Sequence, residues 1–437
     1  MAKKSVFKKS ALKSAVKKTT AKSAAKRKTE AKRKTQKAGT SRHPRLPLTG
    51  IRVVEFSHMV MGPTCGMILG DLGAEVIKVE PPGGDKTRNL IGSGAGFFRM
   101  FNRNKKSVSV DLADPRDLAR LHKLIGTADI VSENFRAGAL AKHGLDYASL
   151  KKKHKRLIYV SHKGFLPGPY DHRVALDEVV QMMAGLAYMT GPPGRPLRAG
   201  ASVNDIMGGM FGAIGALAAL AEREHTGKGQ DVQVGLFENC VFLSAQHMQQ
   251  YAATGIAARP MPDRINAWGI FDLFETADDV QVFLGVVTDS QWAVFGRAFD
   301  LGGLADDPRL TSNNLRVQAR EWMLPALRPI IKHYTAADLQ AVFEREGLPY
   351  APIVKPEELF DDPHLLASGG LADLTLESGG RTPVPLLPLL LDGRHLNPRM
   401  PLPKIGEHNS GLLDASVKNA RRASSRHLSK AKRKVSR

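Results

Sequence analysis

Cysteine is nearly absent: only Cys65 and Cys240 occur among 437 residues, with no CxxC partner and no neighbouring histidine pair. That scarcity excludes a disulfide framework and a zinc site, predicts no metal centre, and suits a reducing, cytoplasmic setting. Long hydrophobic runs are also lacking. The longest, Ile206 to Leu220, is bounded by Asp205 and Glu222 and falls short of the roughly 20 residues that cross a bilayer, so no membrane span is expected. Acidic residues are scarce in two places. Residues 1–45 hold 17 Lys or Arg against Glu30 alone, and residues 416–437 hold nine and no acid. The formal charge of +22 therefore belongs to the ends, and the chain between them is nearly neutral at −3. Residues 1–46 and 415–437 are expected to be disordered basic tails. The first has no continuous apolar core of the kind a secretory signal carries. Its Lys, Ala, Ser and Thr residues offer phosphate contacts without base readout. This suits either loose, salt-sensitive attachment to nucleic acid or another polyanion, or a solvated tail without a partner.

What is present between the tails is a 42% apolar chain, long enough for a large core. "GIRVVEF" (50–56), a Gly/Pro turn, helical "TCGMILGDLG" and "AEVIKVE" (74–80) read as strand, helix, strand. The pattern repeats through "SVSVDL" (107–112), a helix opened at Asp114-Pro115, "DIVSENF" (129–135) and "RLIYVSHKGF" (156–165). The spacing predicts an α/β, Rossmann-like domain with a parallel sheet and helices on both faces. A long apolar helix follows Asp205, stops at the glycines of "HTGKGQ", and gives way to a strand or buried segment at "DVQVGLF". From about Asp263 to Pro352 the texture changes to a hairpin, "WGIFDLFETADDVQVFLGVV", and then helices, which implies a smaller α+β domain. The expected division is thus 47–262 for the first part of the large domain, 263–352 for the small one, and 353–414 for a return segment. Proline-rich stretches in that return segment, such as "RTPVPLLPLLLDG", suit chain lying extended over a surface.

The residues that could carry chemistry gather near the predicted strand ends. Asn102, Lys105 and Lys106 in "NRNKKS", Asn134 to Arg136 in "ENFR", and Lys142 stand where α/β proteins bind ligands and would suit a phosphorylated one. Ordinary surface charge explains each equally well. His58 and His162 also fall at strand ends, without a GxSxG elbow or HExxH pattern. Asp205, at the start of the long helix, reads either as a helix cap or as a carboxylate nucleophile placed where helix N–H groups would keep it ionised. Gly208 and Gly209 suit either close approach of a substrate or close helix packing, as Gly212 and Ala216 do the latter.

"LTGIRVVEFSHMVMGPTCGMILGDLGAEVIKVEPPGGD", "FNRNKKSVSVDL", "DIVSENFRAGAL", "RLIYVSHKGF", "HTGKGQDVQVGLFE" and "IGEH" follow one another in order over about residues 47–410. Together they resemble the family III CoA-transferases, which include formyl-CoA:oxalate and carnitine CoA-transferases and the related α-methylacyl-CoA racemases. The resemblance implies an interlocked homodimer acting on acyl-CoA and a carboxylic acid, with coenzyme A as substrate and no tightly bound cofactor. It implies CoA contacts at His58, Met59 and Met61 in the first turn and at Asn134, Phe135 and Arg136 in a second loop. Lys142 stands where relatives often have arginine, an exchange that keeps charge but loses the bidentate fork. Lys105 and Lys106 are further CoA candidates. Asp205 in "SVNDIMGGM" matches the catalytic aspartate, which the family uses to form acyl-aspartyl anhydride and aspartyl-CoA intermediates, and Asp177 is a candidate supporting acid.

The racemases carry a histidine before that aspartate position and a glutamate in the small domain, whereas this chain has Leu176 and Thr288 there. Proton exchange at an α-carbon needs titratable groups on both faces, so transfer is the expected reaction. Val60 replaces a glutamine of the oxalate enzyme, and no glycine-rich loop follows Tyr251, which argues against oxalate as acceptor. The alternatives are a racemase-like enzyme and a non-catalytic CoA-binding protein tethered to polyanions by its tails.

Overall fold

In a computed structural model, residues 45–136, 138–264 and 266–414 are described. The two expected tails lie outside the described residues, apart from Arg45 and Leu46. Residues 45–49 belong to one compact unit, in which the Thr49 N–H closes a turn on the Leu46 carbonyl. Everything from Gly50 belongs to the other.

Six parallel strands form the centre of that second unit: β1 (Arg52–Phe56), β2 (Glu75–Glu80), β3 (Lys105–Ser109), β4 (Ile130–Glu133), β5 (Ile158–Lys163) and β6 (Asp231–Gly235). Their spatial order is β3-β2-β1-β4-β5-β6, all in parallel register. The order reverses between β1 and β4, and such a switch point opens a crevice beyond the carboxyl ends of the two strands. The strands begin and end within a few residues of the expected segments. "DVQVGLF" divides: β6 stops at Gly235, and Leu236 opens a helix.

Helices cover both faces. Helix α1 (Met61–Asp71) follows β1, and α2 (Pro115–Ile125) follows β3. Asp114 caps α2 by accepting the Arg116 N–H at 2.8 Å, with Pro115 at the first helical position, where its missing N–H has no cost. Further on come α3 (Asp177–Met183), α4 (Val203–Thr226) and α5 (Leu236–Thr254). The long helix α4 lies across α1 and β5, and glycines make this possible. A Cβ on Gly208 would stand 2.6 Å from the Met61 side chain, and one on Gly212 would stand 2.3 Å from His162. By length and composition α4 could cross a bilayer, although its expected apolar run was shorter; here its small-residue face is buried against α1 and β5.

Strands β7 (Ile270–Glu275), β8 (Gln281–Val286) and β9 (Tyr350–Pro352) form an antiparallel sheet with its own core, in which Phe274, Phe295, Leu327 and Phe343 are fully buried. The expected hairpin is β7–β8. Beyond it, the proline-rich segment is more regular than an extended surface strap. Leu371–Thr375 (β10) pairs antiparallel with Arg381–Pro385 (β11). Pro383 and Pro385 fit because, two residues apart, their nitrogens share the side facing away from β10, while the Leu386 N–H donates to the Gly370 carbonyl. The chain then runs along the edge strand β3, where Asn409 accepts the Ser109 N–H at 2.9 Å and His408 Nδ1 faces the Ser107 N–H at 3.3 Å. Covering that edge removes an open template for strand pairing.

Candidate active site

The two loops at the switch point are locked together. The His58 N–H donates to Asn134 Oδ1 at 3.0 Å, and Asn134 Nδ2 returns a bond to the His58 carbonyl at 2.7 Å. The His58 and Phe135 rings lie 5.4 Å apart, and displacement of water from around the imidazole lowers its pKa. Met59, exposed, takes a left-handed φ of 63°, which turns the chain sharply from β1 into α1 and presents its side chain at the crevice. The first turn of α1 carries neither a side-chain cap nor an acidic residue. Beside it, Asn134, Phe135, Arg136 and Lys163 line a cleft of about 670 Å³. Arg136 has no ion-pair partner among the described residues, nor has Lys142 on its exposed 3-10 turn (Ala141–His143). Both remain available to a phosphate. His58, Met59, Asn134, Phe135 and Arg136 are thus brought together at one crevice.

Other expected contacts lie elsewhere. Lys105 is fully buried: its ammonium donates to Glu55 Oε1 at 2.9 Å, the Pro63 carbonyl at 2.9 Å and Asn102 Oδ1 at 3.1 Å. Desolvation pushes its pKa down to about 8. It is an internal counter-ion to Glu55, shared with buried Lys78, and so cannot reach a ligand in this conformation. Lys106 stands near the amino end of β3, where it bonds Glu75 at 2.6 Å, away from the crevice at the carboxyl ends. Met61 is 6% exposed and packs against Gly208. His162 is buried beneath Gly212, and desolvation lowers its pKa to about 3, which keeps it neutral.

Asp205 lies next to the crevice. Its neighbour Ile206 packs on the cluster of Val60, Met67 and Phe101, and Gly208 lies against the Met61 side chain, so the start of α4 abuts the start of α1. Asp205 is not the helix cap. The N-cap position is Ser202, whose side chain makes no capping bond, and Asp205 is the third helical residue. The cap comes instead from Asp177, whose Oδ2 accepts the N–H groups of Asn204 at 3.1 Å and Asp205 at 3.0 Å. Gln181 bonds the other Asp177 oxygen, and Asn239 ties down Asn204 at 2.7 Å through its carbonyl. The helix N–H groups are therefore satisfied by Asp177 rather than by Asp205. Burial, with the Asp177 charge second, pushes the Asp205 pKa up to about 7, opposite to the expected stabilisation of its ionised form. Gly208 and Gly209 are spacers between helices; a Cβ on Gly209 would stand 2.5 Å from the Met61 carbonyl oxygen.

The model of CoA-transferase family III matches residues 48–409. The chain belongs to that family. Succinate–glutarate CoA-transferase of Agrobacterium fabrum is 34% identical over 383 residues, 84% of this chain and 95% of that protein. Acetyl-CoA:oxalate CoA-transferase of Acetobacter aceti is 32% identical over 85% of this chain and 96% of that one. Among solved structures, a CaiB/BaiF family protein from Brucella suis superposes with a TM-score of 0.76 at 32% identity, covering 85% of this chain and all of that one. This family III chain is a CoA-transferase with an α/β fold.

Several site residues escaped the sequence reading. Lys163, at the end of β5, bonds Glu133 at 2.5 Å and lines the cleft; it sits beside His162 in the same motif and was hidden by it. Gln181, Arg198 and Asn239, which surround the start of α4, carry no motif signal, because their partners lie far away in sequence.

Proposed function

We propose that this chain moves coenzyme A from an acyl-CoA to a carboxylic acid through Asp205. The carboxylate attacks the thioester carbonyl, the C–S bond breaks, and an acyl-aspartyl anhydride forms with release of CoA thiolate. The thiolate then attacks the aspartyl carbonyl and expels the donor carboxylate, leaving an aspartyl-CoA thioester. The acceptor carboxylate displaces the thiolate to give a new anhydride, and thiolate attack on the acceptor's acyl carbon yields the product thioester and free Asp205. The supporting observation is the packing of Ile206 and Gly208 against the start of α1, which brings the first turn of α4 next to the turn that carries His58 and Met59. Arg136, Lys142 and Lys163 are the cations we assign to the CoA phosphates, and His58, Met59 and Phe135 to its uncharged parts. Asp177 serves as the helix cap that fixes the nucleophile, not as an acid.

The racemase alternative finds less support. Exposed Leu176 offers no proton, and Thr288 is occupied as the cap of the helix Asp289–Ala298, accepting the Gln291 N–H at 3.1 Å. Incubation with a panel of acyl-CoAs and carboxylic acids should therefore give CoA exchange by mass spectrometry. Hydroxylamine added during turnover should convert Asp205 to a hydroxamate on its peptide. Bound CoA without exchange across the panel would favour a binding protein, and a hydroxamate elsewhere would displace Asp205.

We further propose a homodimer, since Met210, Ile214 and Leu217 on α4 and Phe242, Met248 and Tyr251 on α5 leave apolar surface exposed. A cytoplasmic setting suits its two buried free thiols. For the tails we propose polyanion binding. Deleting residues 1–45 should leave CoA exchange intact and lower the salt needed to elute the protein from heparin; unchanged elution would leave the tail without that role.

A further inference from the structure

The end of the sheet opposite the crevice carries a dense positive charge that CoA transfer does not use. Residues 151–156 read "KKKHKR", and Lys152, Lys153, Lys155 and Arg156 are all exposed. The turn that bears them is fixed. Leu150 and Leu157 at its two ends are buried, the Lys153 and His154 N–H groups donate to the Leu150 carbonyl at 3.1 and 3.0 Å, and the Leu157 N–H donates to the His154 carbonyl at 3.1 Å. Two further turns join it. The Gly229 N–H donates to the Lys155 carbonyl at 2.9 Å, which brings exposed Lys228 alongside, and Gly126, at the end of α2, abuts the His154 ring, since a Cβ there would stand 3.4 Å from it. These turns lead into β5, β6 and β4, so they share the amino-end rim of the sheet. Lys123, Lys152, Lys153, Lys155 and Lys228 make no ion pair or side-chain hydrogen bond among the described residues. Arg156 faces an acid only at 3.6 Å, in exposed Glu224. Asp414 bonds Arg120 on α2 at 2.9 Å, so the chain continues into residues 416–437, with nine Lys or Arg and no acid, from a point one turn before Lys123.

We propose that this rim is a sequence-independent binding surface for double-stranded nucleic acid, with its lysines on the phosphates. The body itself, and not the tails alone, would then hold the polyanion. Unpaired lysines on a fixed turn neutralise phosphates and release their counter-ions without reading bases. A bilayer fits less well, because residues 151–156 include no apolar side chain to enter it and the flanking leucines are buried. Single strands are held by stacking on exposed rings, and the ring at hand, Tyr147, is half-buried with the Lys151 ammonium 5.0 Å from its centre. The length of β5, six residues or about 20 Å, separates the rim from the cleft at Lys163. Nucleic acid and acyl-CoA therefore occupy separate sites, and the proposal stands whatever the role of Asp205.

The test uses the full chain and a labelled DNA duplex of about 20 base pairs, followed by fluorescence anisotropy over a range of salt. Combining Lys152→Gln, Lys153→Gln and Lys155→Gln should weaken binding on the order of 10- to 100-fold near physiological salt. It should also flatten the plot of log affinity against log salt by about 2–3 in slope, as the loss of three phosphate contacts requires. Lys332→Gln, Lys355→Gln and Lys404→Gln together remove the same charge from exposed positions elsewhere and should leave both quantities nearly unchanged. Both variants should melt with the parent, and a duplex of shuffled sequence should bind equally well. Equal losses in the two variants would make net charge the cause and overturn the proposal. So would duplex binding that the rim substitutions do not touch, which would leave the tails as its source, and so would a parent protein that binds phosphatidylserine vesicles but not the duplex, or neither.

Discussion

Asp205→Asn is expected to give a folded protein that still binds CoA and transfers it at least about a thousandfold more slowly, because the neighbouring carboxylate, Asp177, is engaged in capping α4. The same variant should be more stable than the parent at neutral pH and above. In the folded protein the Asp205 pKa is pushed up to about 7, chiefly by burial and then by Asp177, against an ordinary carboxylate value near 3.8. The folded state therefore holds its proton more tightly than the unfolded chain does. Stability from that proton is fully present below about pH 4 and is lost as the pH rises through about 7. Asparagine does not titrate. The two proteins should unfold alike near pH 4, diverge between about pH 4 and 7, and above that differ by on the order of 1–2 kcal/mol in favour of Asp205→Asn, since partial exposure trims the full effect. Wild-type kcat/KM should rise with pH to a plateau above about 7, as the nucleophile must be ionised. A variant that transfers at the parent rate would remove Asp205 from the chemistry, and a stability difference that does not vary with pH would remove the raised pKa.

The alternation of apolar strands and helical segments carried the fold, because a parallel sheet buried on both faces writes itself as short runs of Val and Ile at regular spacing: "RVVEF", "EVIKVE", "DIVSENF". The crevice was legible for a related reason. Residues just past β1 and β4 line the switch point, so His58 and Asn134 to Arg136 stand out by position, whereas Met59 is indicated only by the family resemblance. Charge was harder to read. Lys105 looks like a surface lysine in "NRNKKS", and only the sheet reveals that Glu55, fifty residues earlier, awaits it inside. Asp177 illustrates the same limit: the resemblance offers it as a supporting acid, but the N–H groups it accepts lie 27 and 28 residues later. Pairings of high sequence separation leave no trace in local spacing. At Asp205 the expected electrostatics do not hold, since a helix start attracts a carboxylate only while its N–H groups are free, and here Asp177 accepts them.

The glycines of α4 provide the sharpest structural test, because a reading as substrate clearance and a reading as helix packing predict different defects. If Gly209 merely left room for a thioester, Gly209→Ala would raise the acyl-CoA KM and leave the fold alone. In this structure a Cβ at Gly209 would meet the Met61 carbonyl oxygen and the Thr64 Cβ, each at 2.5 Å. The first is main chain, so no rotamer change relieves the contact, and α1 must move away from α4. Overpacking of that kind costs about 1–3 kcal/mol and should lower the melting temperature by several degrees. Gly303→Ala is the matched control: nothing lies within 4 Å of its Cβ, and the change should stay within about 0.5 kcal/mol. Since α1 begins at the turn that carries His58 and Met59, the shift forced by Gly209→Ala should also lower kcat/KM for transfer, in step with the loss of stability. A Gly209→Ala protein that melts with the parent and shows only a raised KM would restore the clearance reading and break the argument that these helices place the nucleophile.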